Sequence, residues 1–159
     1  MIRFFESTDL DQITGIFNEV VETGEYFFTE FPLTAEQMRE RLSTPERETV
    51  VLEDDGAILG FYYMNPLFEG RSNHVANCAY AVSKSARGKK VGSRLAEFSI
   101  EHARKKGYKS ISFVAVVATN EVANHLWQKL GFRMVGTMKK SHRNKDGSFV
   151  DTNIYQLEL

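Results

Sequence analysis

The sequence predicts a mixed α/β fold, in which one sheet combines parallel and antiparallel strands and carries helices on its faces. The segment from His74 to Val117 has the pattern strand, helix, strand, which implies a right-handed crossover between two parallel strands. Asp54-Asp55-Gly56 separates two apolar runs as a hairpin turn does and predicts an antiparallel pair. A closing hairpin is expected around the polar connection His142–Gly147.

The predicted elements follow one another as β-α-α-β-β-β-α-β-α-β-β. The strands are short apolar or alternating runs between turn residues: Ile2–Glu6, Thr49–Leu52, Ile58–Asn65, His74–Val82, Ile111–Val117, Phe132–Lys139 and Phe149–Leu157. The helices have apolar residues at helical spacing, with cap-type residues in front of most of them: Leu10–Val21 after Ser7-Thr8-Asp9, Ala35–Leu42 after Thr34, Lys89–Lys106, and the segment from Asn120 to Leu130.

The composition limits both the size of the protein and its classes of partner. The chain has 159 residues, of which 42% are hydrophobic, so we expect one core and a single domain over residues 1–159. Lys and Arg number 20 against 21 for Asp and Glu, and a formal net charge of -1 provides no basic field for nucleic acid. No apolar run approaches a membrane span, and no signal peptide is recognised. The single cysteine, Cys78, favours a reducing compartment, and we expect a cytoplasmic protein.

A basic, glycine-containing turn joins a predicted strand to a predicted helix between Tyr80 and Ser93. Backbone N–H groups at a helix start lack intrahelical partners, the helix dipole favours an anion there, and glycines allow close approach. Arg87, Lys89 and Lys90 add positive charge. The turn therefore predicts a phosphate site, with a solvated basic turn as the alternative. It matches neither the P-loop pattern nor the dinucleotide-binding GxGxxG pattern.

A second motif lies downstream and reads Asn120-Glu121-Val122-Ala123-Asn124-His125-Leu126-Trp127-Gln128-Lys129-Leu130-Gly131-Phe132. Together the two motifs resemble the acetyl-CoA-binding motifs of the GNAT superfamily of N-acetyltransferases, Q/R-x-x-G-x-G/A and N-x-x-A-x-x-L-Y-x-K-x-G-F. The resemblance extends over about Ile2–Leu157. The pattern is most similar to amino-acid and phosphinothricin-type acetyltransferases, through Ile16–Glu19, Thr29–Thr34 and the strand that carries Asn77.

The resemblance implies the GNAT acyl-CoA N-acyltransferase fold with acetyl-CoA as co-substrate. It also implies that the strand at Tyr80–Val82 pairs with pantetheine, that Asn120 holds the pantetheine arm or a water, and that the strands ending near Val82 and Val117 splay apart. The implied cofactor-binding residues are Tyr80, Ala81, Val82, Arg87, Gly88, Lys89, Lys90, Val91, Gly92, Ser93, Asn120, Trp127 and Lys129. No metal is expected, because no residues have metal-ligand spacing.

The chain departs from the family pattern at two positions. Lys90 stands where the family has Gly, which leaves the backbone N–H and supplies a cation, so we expect binding to survive. Trp127 stands where many relatives have a Tyr thought to protonate the departing thiolate, and an indole N–H does not act as an acid there.

N-acetyl transfer needs a deprotonated amine, a stabilised oxyanion and a proton for the leaving sulfur. The residue that matches Asn77 is a Glu base in several relatives; an amide has no such basicity, so Asn77 is expected to position substrate or water. His74 is the ionisable residue nearest to it and the alternative base. The candidate catalytic residues are Asn77, Asn120 and His74. The resemblance also implies that a backbone N–H near Ala81 or Val82 polarises the thioester carbonyl.

The aromatic segment Glu25–Phe31 covers the acceptor site in the family layout and suits an apolar substrate. The alternative is that its phenylalanines complete the core. Arg71 is placed to pair with a substrate carboxylate. The candidate acceptor residues are Phe28, Glu30, Phe31, Arg71 and Asn77. Cys78 is expected to be buried rather than nucleophilic, and His102 and His125 to be exposed helix residues.

We therefore expect an acetyl-CoA-dependent N-acetyltransferase that acts on the amine of a small molecule, a free amino acid or analogue, by direct transfer in a ternary complex. One alternative is a protein N-terminal or lysine acetyltransferase. Another is a non-catalytic acetyl-CoA-binding module, because the customary Tyr and carboxylate base are missing. The oligomeric state stays open, and a homodimer is the candidate, since dimers are frequent in the superfamily and are the commonest oligomers.

Overall fold

The computed structural model describes all residues from 1 to 159 and contains seven strands and four helices. The strands are β1 (Ile2–Phe4), β2 (Glu48–Asp54), β3 (Ala57–Pro66), β4 (Val75–Val82), β5 (Ser110–Val117), β6 (Arg133–Arg143) and β7 (Phe149–Glu158). The helices are α1 (Leu10–Val21), α2 (Ala35–Leu42), α3 (Val91–Lys106) and α4 (Glu121–Lys129), with short 3-10 turns at Ser7–Asp9, Gly70–Ser72 and Lys84–Ala86. The predicted order of strands and helices is confirmed.

All the strands form one 7-stranded sheet in the order β1-β2-β3-β4-β5-β7-β6. Neighbouring strands are antiparallel except β4 and β5, which are parallel because α3 carries the chain back across the sheet between them. Leu95 of α3 and Trp127 of α4 pack on one face. Phe17 of α1 and Met38 of α2 pack on the other. The sheet is therefore the middle of three layers.

Local sequence explains the turns and caps that set this layout. Asp55 and Gly56 both have positive φ, 48° and 77°, as a two-residue type I′ hairpin turn requires. At the start of α2, the Gln37 N–H donates to Thr34 Oγ1 (3.2 Å) and the Thr34 N–H donates to Gln37 Oε1 (2.9 Å). The predicted hairpin and the predicted capping box are both confirmed.

The parallel strands β4 and β5 separate soon after they begin. Their pairing consists of Val75 with Ser110 and Ala76 with Ile111. Beyond these pairs the two strands are no longer paired, up to their ends at Val82 and Val117. We call this unpaired stretch the gap. The register of β5 against β7 also shifts after Phe113, and such irregularities bend a strand. The splay that the family resemblance implied is present.

The prediction that His102 is an exposed helix residue is wrong. Its ring is buried, with Nδ1 2.7 Å from the Tyr62 hydroxyl and Nε2 2.7 Å from Glu48 Oε2. Residue 102 shares the inward side of α3 with Ser99 and Ala103, so helical phase carries it into the core. Its two polar partners make burial tolerable. His125 is exposed, as predicted.

The closing hairpin is longer than predicted. β6 extends to Arg143 rather than ending at Lys139, through a register shift between Met138 and His142. Lys140, inside the shift, has a positive φ of 51°.

None of the helices combines the length and apolar character that crossing a membrane requires.

Candidate functional site

Several backbone N–H donors without acceptors are clustered at the start of α3. The residue before the helix provides no side-chain cap, and five N–H groups have no backbone acceptor: those of Gly88, Lys90, Val91, Gly92 and Ser93. The dipole of this 16-residue helix adds partial positive charge at the same place. This is the arrangement of donors that an anion site requires, and the phosphate site at this turn stays a prediction.

Four cations surround this helix start. Arg87, Lys89, Lys90 and Arg94 are all exposed, and every ion pair of the protein lies elsewhere. Unpaired cations beside unpaired N–H groups suit a ligand with several negative charges, such as a pyrophosphate.

Lys90, which stands where the family pattern has glycine, adopts a backbone conformation that favours glycine. Its φ and ψ are 59° and 18°, in the left-handed region. This conformation costs a residue with a Cβ about 1 kcal/mol or more relative to glycine. The departure from the family pattern therefore keeps the geometry of the turn and adds a cation at an energetic cost.

The edge of β4 that faces the gap carries unpaired backbone groups. Ser83 N–H donates to Leu59 O (2.9 Å), and Val75 O accepts from Leu67 N–H (2.7 Å), so odd-numbered residues of β4 exchange hydrogen bonds with β3. Even-numbered residues face β5, and beyond Ala76 they have no partner strand. The free N–H and C=O groups are those of Cys78, Tyr80 and Val82. An open strand edge of this kind binds an extended chain that carries amides.

The sequence predicts that the N–H of either Ala81 or Val82 contacts the thioester carbonyl. The alternation of hydrogen bonds along β4 distinguishes these two donors. Ala81 pairs with Phe61 of β3, so its N–H points away from the gap. The Val82 N–H points into the gap. Of the two residues, only Val82 is placed to donate to a ligand there.

The side chains of Tyr80 and Trp127 belong to the core rather than to the gap. The Trp127 ring centroid lies 4.5 Å from that of Phe113 and 5.1 Å from that of Tyr80. The Tyr80 hydroxyl is 2.7 Å from Ser99 Oγ, and burial raises the pKa of Tyr80 well above its usual value. Neither side chain is an evident acid for a leaving group. Lys129 is exposed at the last position of α4, about two turns from Asn120.

Asn120 and Asn124 organise the start of α4, beside the end of β5. Asn120 Oδ1 accepts from the Ala123 N–H (3.1 Å), so Asn120 caps the helix as predicted. Asn124 is buried; its amide donates to Val117 O (3.0 Å) and Asn120 O (2.8 Å) and accepts from the Tyr155 hydroxyl (2.8 Å). Asn124 is not among the residues that the sequence predicts for the site. Its spacing of three from Trp127, on the buried side of α4, was the available signal.

Asn77 is the first residue of β4 past the last pair with β5, at the closed inner end of the gap. It is half-buried and lies opposite Asn65 of β3. Its side chain is on the α1–α2 side of the sheet, since its neighbours Ala76 and Cys78 pack on the other side. Cys78 is buried, and burial raises its pKa to about 12, which agrees with a packing role.

The aromatic segment between α1 and α2 divides into a packed and an exposed part. Phe27 stacks on Phe17 at 4.9 Å, as the core alternative expects. Phe28 and Phe31 remain 63% and 72% exposed, so they do not complete the core. The Phe28 ring lies 5.7 Å from that of the buried His142, in the closing hairpin.

One ion pair and one hydrogen bond join this part of the chain to the closing hairpin. Glu30 accepts from Arg143 at 3.2 Å, and His142 Nε2 donates to the Gly24 carbonyl at 3.3 Å. The exposed segment and the closing hairpin are therefore held together, and His142 is buried at their contact.

His74 and Arg71 lie in the connection between β3 and β4, in front of the strand edge that faces the gap. His74 is exposed in front of β4, where its carbonyl accepts from Lys109 N–H, at the closed end of the β4–β5 pair. It lies about 10 Å along the strand from Asn77, and its use as the base stays a prediction. Arg71 is exposed in the turn Gly70–Ser72. No group of His, Cys, Asp and Glu side chains is arranged to hold a metal ion.

Sequence and structure comparisons identify the family. The profile of the Acetyltransferase (GNAT) family matches residues 13–132. N-acetyltransferase aca1 of Schizosaccharomyces pombe is 35% identical over 113 residues, which cover 70% of this chain and 54% of the yeast protein. The chain thus spans about half the length of that relative.

Solved structures have the same fold. A GCN5-related N-acetyltransferase from Kribbella flavida superposes with a TM-score of 0.93 at 36% identity, over 100% of this chain and 97% of that one. A phosphinothricin acetyltransferase from Sinorhizobium meliloti, solved with acetyl-CoA, superposes with a TM-score of 0.91 at 24% identity, over 100% and 88% of the two chains. With the matched profile, these similarities confirm the predicted fold, and the chain belongs to the GNAT acetyltransferase family.

Proposed function

We propose that the protein is an acetyl-CoA-dependent N-acetyltransferase that transfers the acetyl group directly, in a ternary complex, to the amine of a free amino acid or analogue. One observation carries the proposal: the open edge of β4 leads from the anion site at the start of α3 to the inner end of the gap at Asn77. An acyl-CoA has the matching order of parts, namely a pyrophosphate, an extended arm with two amides, and a thioester.

In this proposal the pyrophosphate binds at the start of α3 and the pantetheine amides pair with Tyr80 and Val82. The acceptor amine reaches the thioester from the α1–α2 side, where Asn77 orients the amine or a water. The amine loses its proton to water before attack, because no carboxylate base lies at Asn77. An N–H of the β4 edge stabilises the oxyanion, and water protonates the sulfur.

The test is CoA-thiol release by the purified protein with acetyl-CoA across free amino acids, amino-acid analogues, polyamines and short peptides. Turnover with free amino acids or their analogues is the expected result. Turnover with peptides alone would favour a protein acceptor, and acetyl-CoA binding without turnover would favour a non-catalytic module. Absence of acetyl-CoA binding would refute the proposal as a whole.

Lys90 allows backbone strain and cofactor attraction to be measured separately. Lys90→Gly and Lys90→Ala both remove the cation, so both are expected to weaken acetyl-CoA binding about threefold at low salt. Only the glycine variant also relieves the left-handed backbone. Its free energy of unfolding should exceed that of the alanine variant by about 1 kcal/mol. Titration calorimetry and urea unfolding measure the two effects, and equal stabilities would contradict the assignment of strain.

Asn120 is expected to serve both the cofactor and the helix. Asn120→Ala removes the cap of α4 and the amide donor, whereas Asn120→Ser keeps an oxygen for the Ala123 N–H. Both variants should raise the Michaelis constant for acetyl-CoA or lower turnover by about tenfold. Only the alanine variant should also lose about 1 kcal/mol of stability. Unchanged kinetics in both variants would remove Asn120 from the cofactor site.

We also propose a homodimer that forms at β6. This strand is an edge of the sheet, and Met134, Val135 and Met138 leave 54%, 55% and 40% of their surface exposed. A long edge strand with apolar side chains is an association surface. Val135→Lys is expected to convert the dimer to a monomer in sedimentation velocity, whereas a monomeric parent protein would contradict the proposal.

We propose further that residues 1–159 act as one domain in the cytoplasm. The single sheet that includes every strand supports one domain. The free, buried thiol of Cys78 is compatible with a reducing compartment.

A further inference from the structure

Two arginines on the α1–α2 side of the sheet have no acidic partner. Arg41, near the end of α2, and Arg47, just before β2, are half-buried, and neither takes part in an ion pair. Each guanidinium instead lies over an aromatic ring, Arg41 at 5.0 Å from the centre of Phe17 and Arg47 at 4.4 Å from that of Tyr63. Burial lowers the pKa of Arg47, and the nearby charge of Arg41 lowers it further. A half-buried guanidinium without a carboxylate partner is suited to binding an anionic ligand.

Arg47 lies beside the inner end of the gap. Its Nε donates to Asn65 Oδ1 at 3.0 Å, and Asn65 is paired with Asn77 across β3 and β4. Directly opposed residues have Cβ atoms about 5 Å apart. Nη1 of Arg47 donates to the Arg41 carbonyl, and Nη2 has no partner in the chain. A free edge of the guanidinium is thus available next to the position where the acceptor amine is proposed to bind.

We propose that Arg47, with Arg41 behind it, binds the carboxylate of the acceptor and makes the enzyme selective for α-amino acids over amines that lack a carboxylate. This role rests on the proposed function. An α-amino acid carries its amine and its carboxylate on the same carbon, so an amine held at Asn77 leaves the carboxylate within reach of the neighbouring strand. A guanidinium binds a carboxylate through parallel N–H donors, and the aromatic rings keep water from its face.

The contact between Arg47 and the Arg41 carbonyl also stabilises the end of α2, so the test must separate binding from folding. Arg47→Gln keeps an amide donor and removes the charge, and Arg47→Lys keeps the charge and removes the fork. Arg39→Gln is the matched control, because Arg39 is an exposed arginine of α2 that pairs only with Glu36. Urea unfolding of each variant reports its stability.

The measurement compares steady-state kinetics for an accepted free amino acid and for its primary amide. Each substrate is compared between parent and variant, because the two amines differ in basicity. Arg47→Gln is expected to lower kcat/KM for the amino acid by about 10- to 100-fold, mainly through KM, and to change the amide less than about threefold. Arg47→Lys should give a kcat/KM for the amino acid between those of the parent and Arg47→Gln. Arg39→Gln should leave this kcat/KM unchanged, and every variant should keep the parent's KM for acetyl-CoA.

Equal losses for the amino acid and its amide would overturn the carboxylate assignment and leave Arg47 a structural residue. The proposed acetyltransferase function stands in that case. Failure of the parent protein to acetylate any free amine is a different result, because it counts against the proposed function itself.

Discussion

Replacing Asn124 with leucine is expected to lower the free energy of unfolding by about 3 kcal/mol, because several buried polar groups lose their partner together. The Asn124 amide accepts from the Tyr155 hydroxyl (2.8 Å) and from Asn153 Nδ2 (2.9 Å). It also donates to the Val117 carbonyl (3.0 Å), which ends β5. Leucine fills a similar volume but makes none of these bonds. Urea unfolding followed by circular dichroism measures the loss.

Asn73→Leu is the matched control, because Asn73 is exposed and should change stability by no more than about 0.5 kcal/mol. A second readout follows from the position of Asn124 between the end of β5 and the cap of α4. The variant should also bind acetyl-CoA more weakly, since Val117 and Asn120 lose their common anchor. A loss of stability below about 1 kcal/mol would mean that water replaces the amide and that the network is not a structural anchor.

Gly60→Ala is expected to destabilise the protein by about 2 kcal/mol, because an added methyl group has no room. A Cβ built at Gly60 would lie 2.8 Å from the Ala81 carbonyl oxygen, 3.0 Å from Val91 Cγ1 and 3.2 Å from Leu95 Cδ1. The first of these is backbone and cannot move without β4. Since Val91 and Ala81 flank the anion site and the open strand edge, acetyl-CoA binding should weaken as well.

Gly15→Ala provides the control of opposite sign. Gly15 is exposed within α1, and a Cβ there would meet nothing within 4 Å. Alanine at this position should stabilise the helix by about 0.5–1 kcal/mol. Thermal unfolding of the two variants side by side tests the pair. A Gly60→Ala protein as stable as its parent would show that β3 and α3 are not in close contact at that position.

Much of the fold could be predicted because local signals agreed with the final structure. Thr34 and Gln37 form the capping box that their spacing indicates. Asn120 caps α4, and Asp55-Gly56 makes the hairpin turn. In each case the residues that carry the signal contact one another within a few positions of the chain, so no tertiary information is needed.

The wrong placement of His102 arose because the surroundings of its side chain come from distant segments. The sequence of α3 does not disclose that Tyr62 and Glu48 would meet His102, so a polar residue in a helix was assigned to the surface. His74 is close to Asn77 in sequence, yet it lies where β4 and β5 are still paired. Its distance from the gap depends on where β4 and β5 cease to pair. The sequence pattern does not contain that information.

The sequence alone determined the order of the elements and the family to which the chain belongs, and it predicted an anion site at the turn from Arg87 to Ser93, because these signals are carried by neighbouring residues. Only the tertiary structure decided that Val82 rather than Ala81 faces the gap, that Asn124 anchors α4 to β5, and that Arg47 lies beside Asn77 without an acidic partner. Each of these depends on strand register or on packing between distant segments, which local chemistry does not encode.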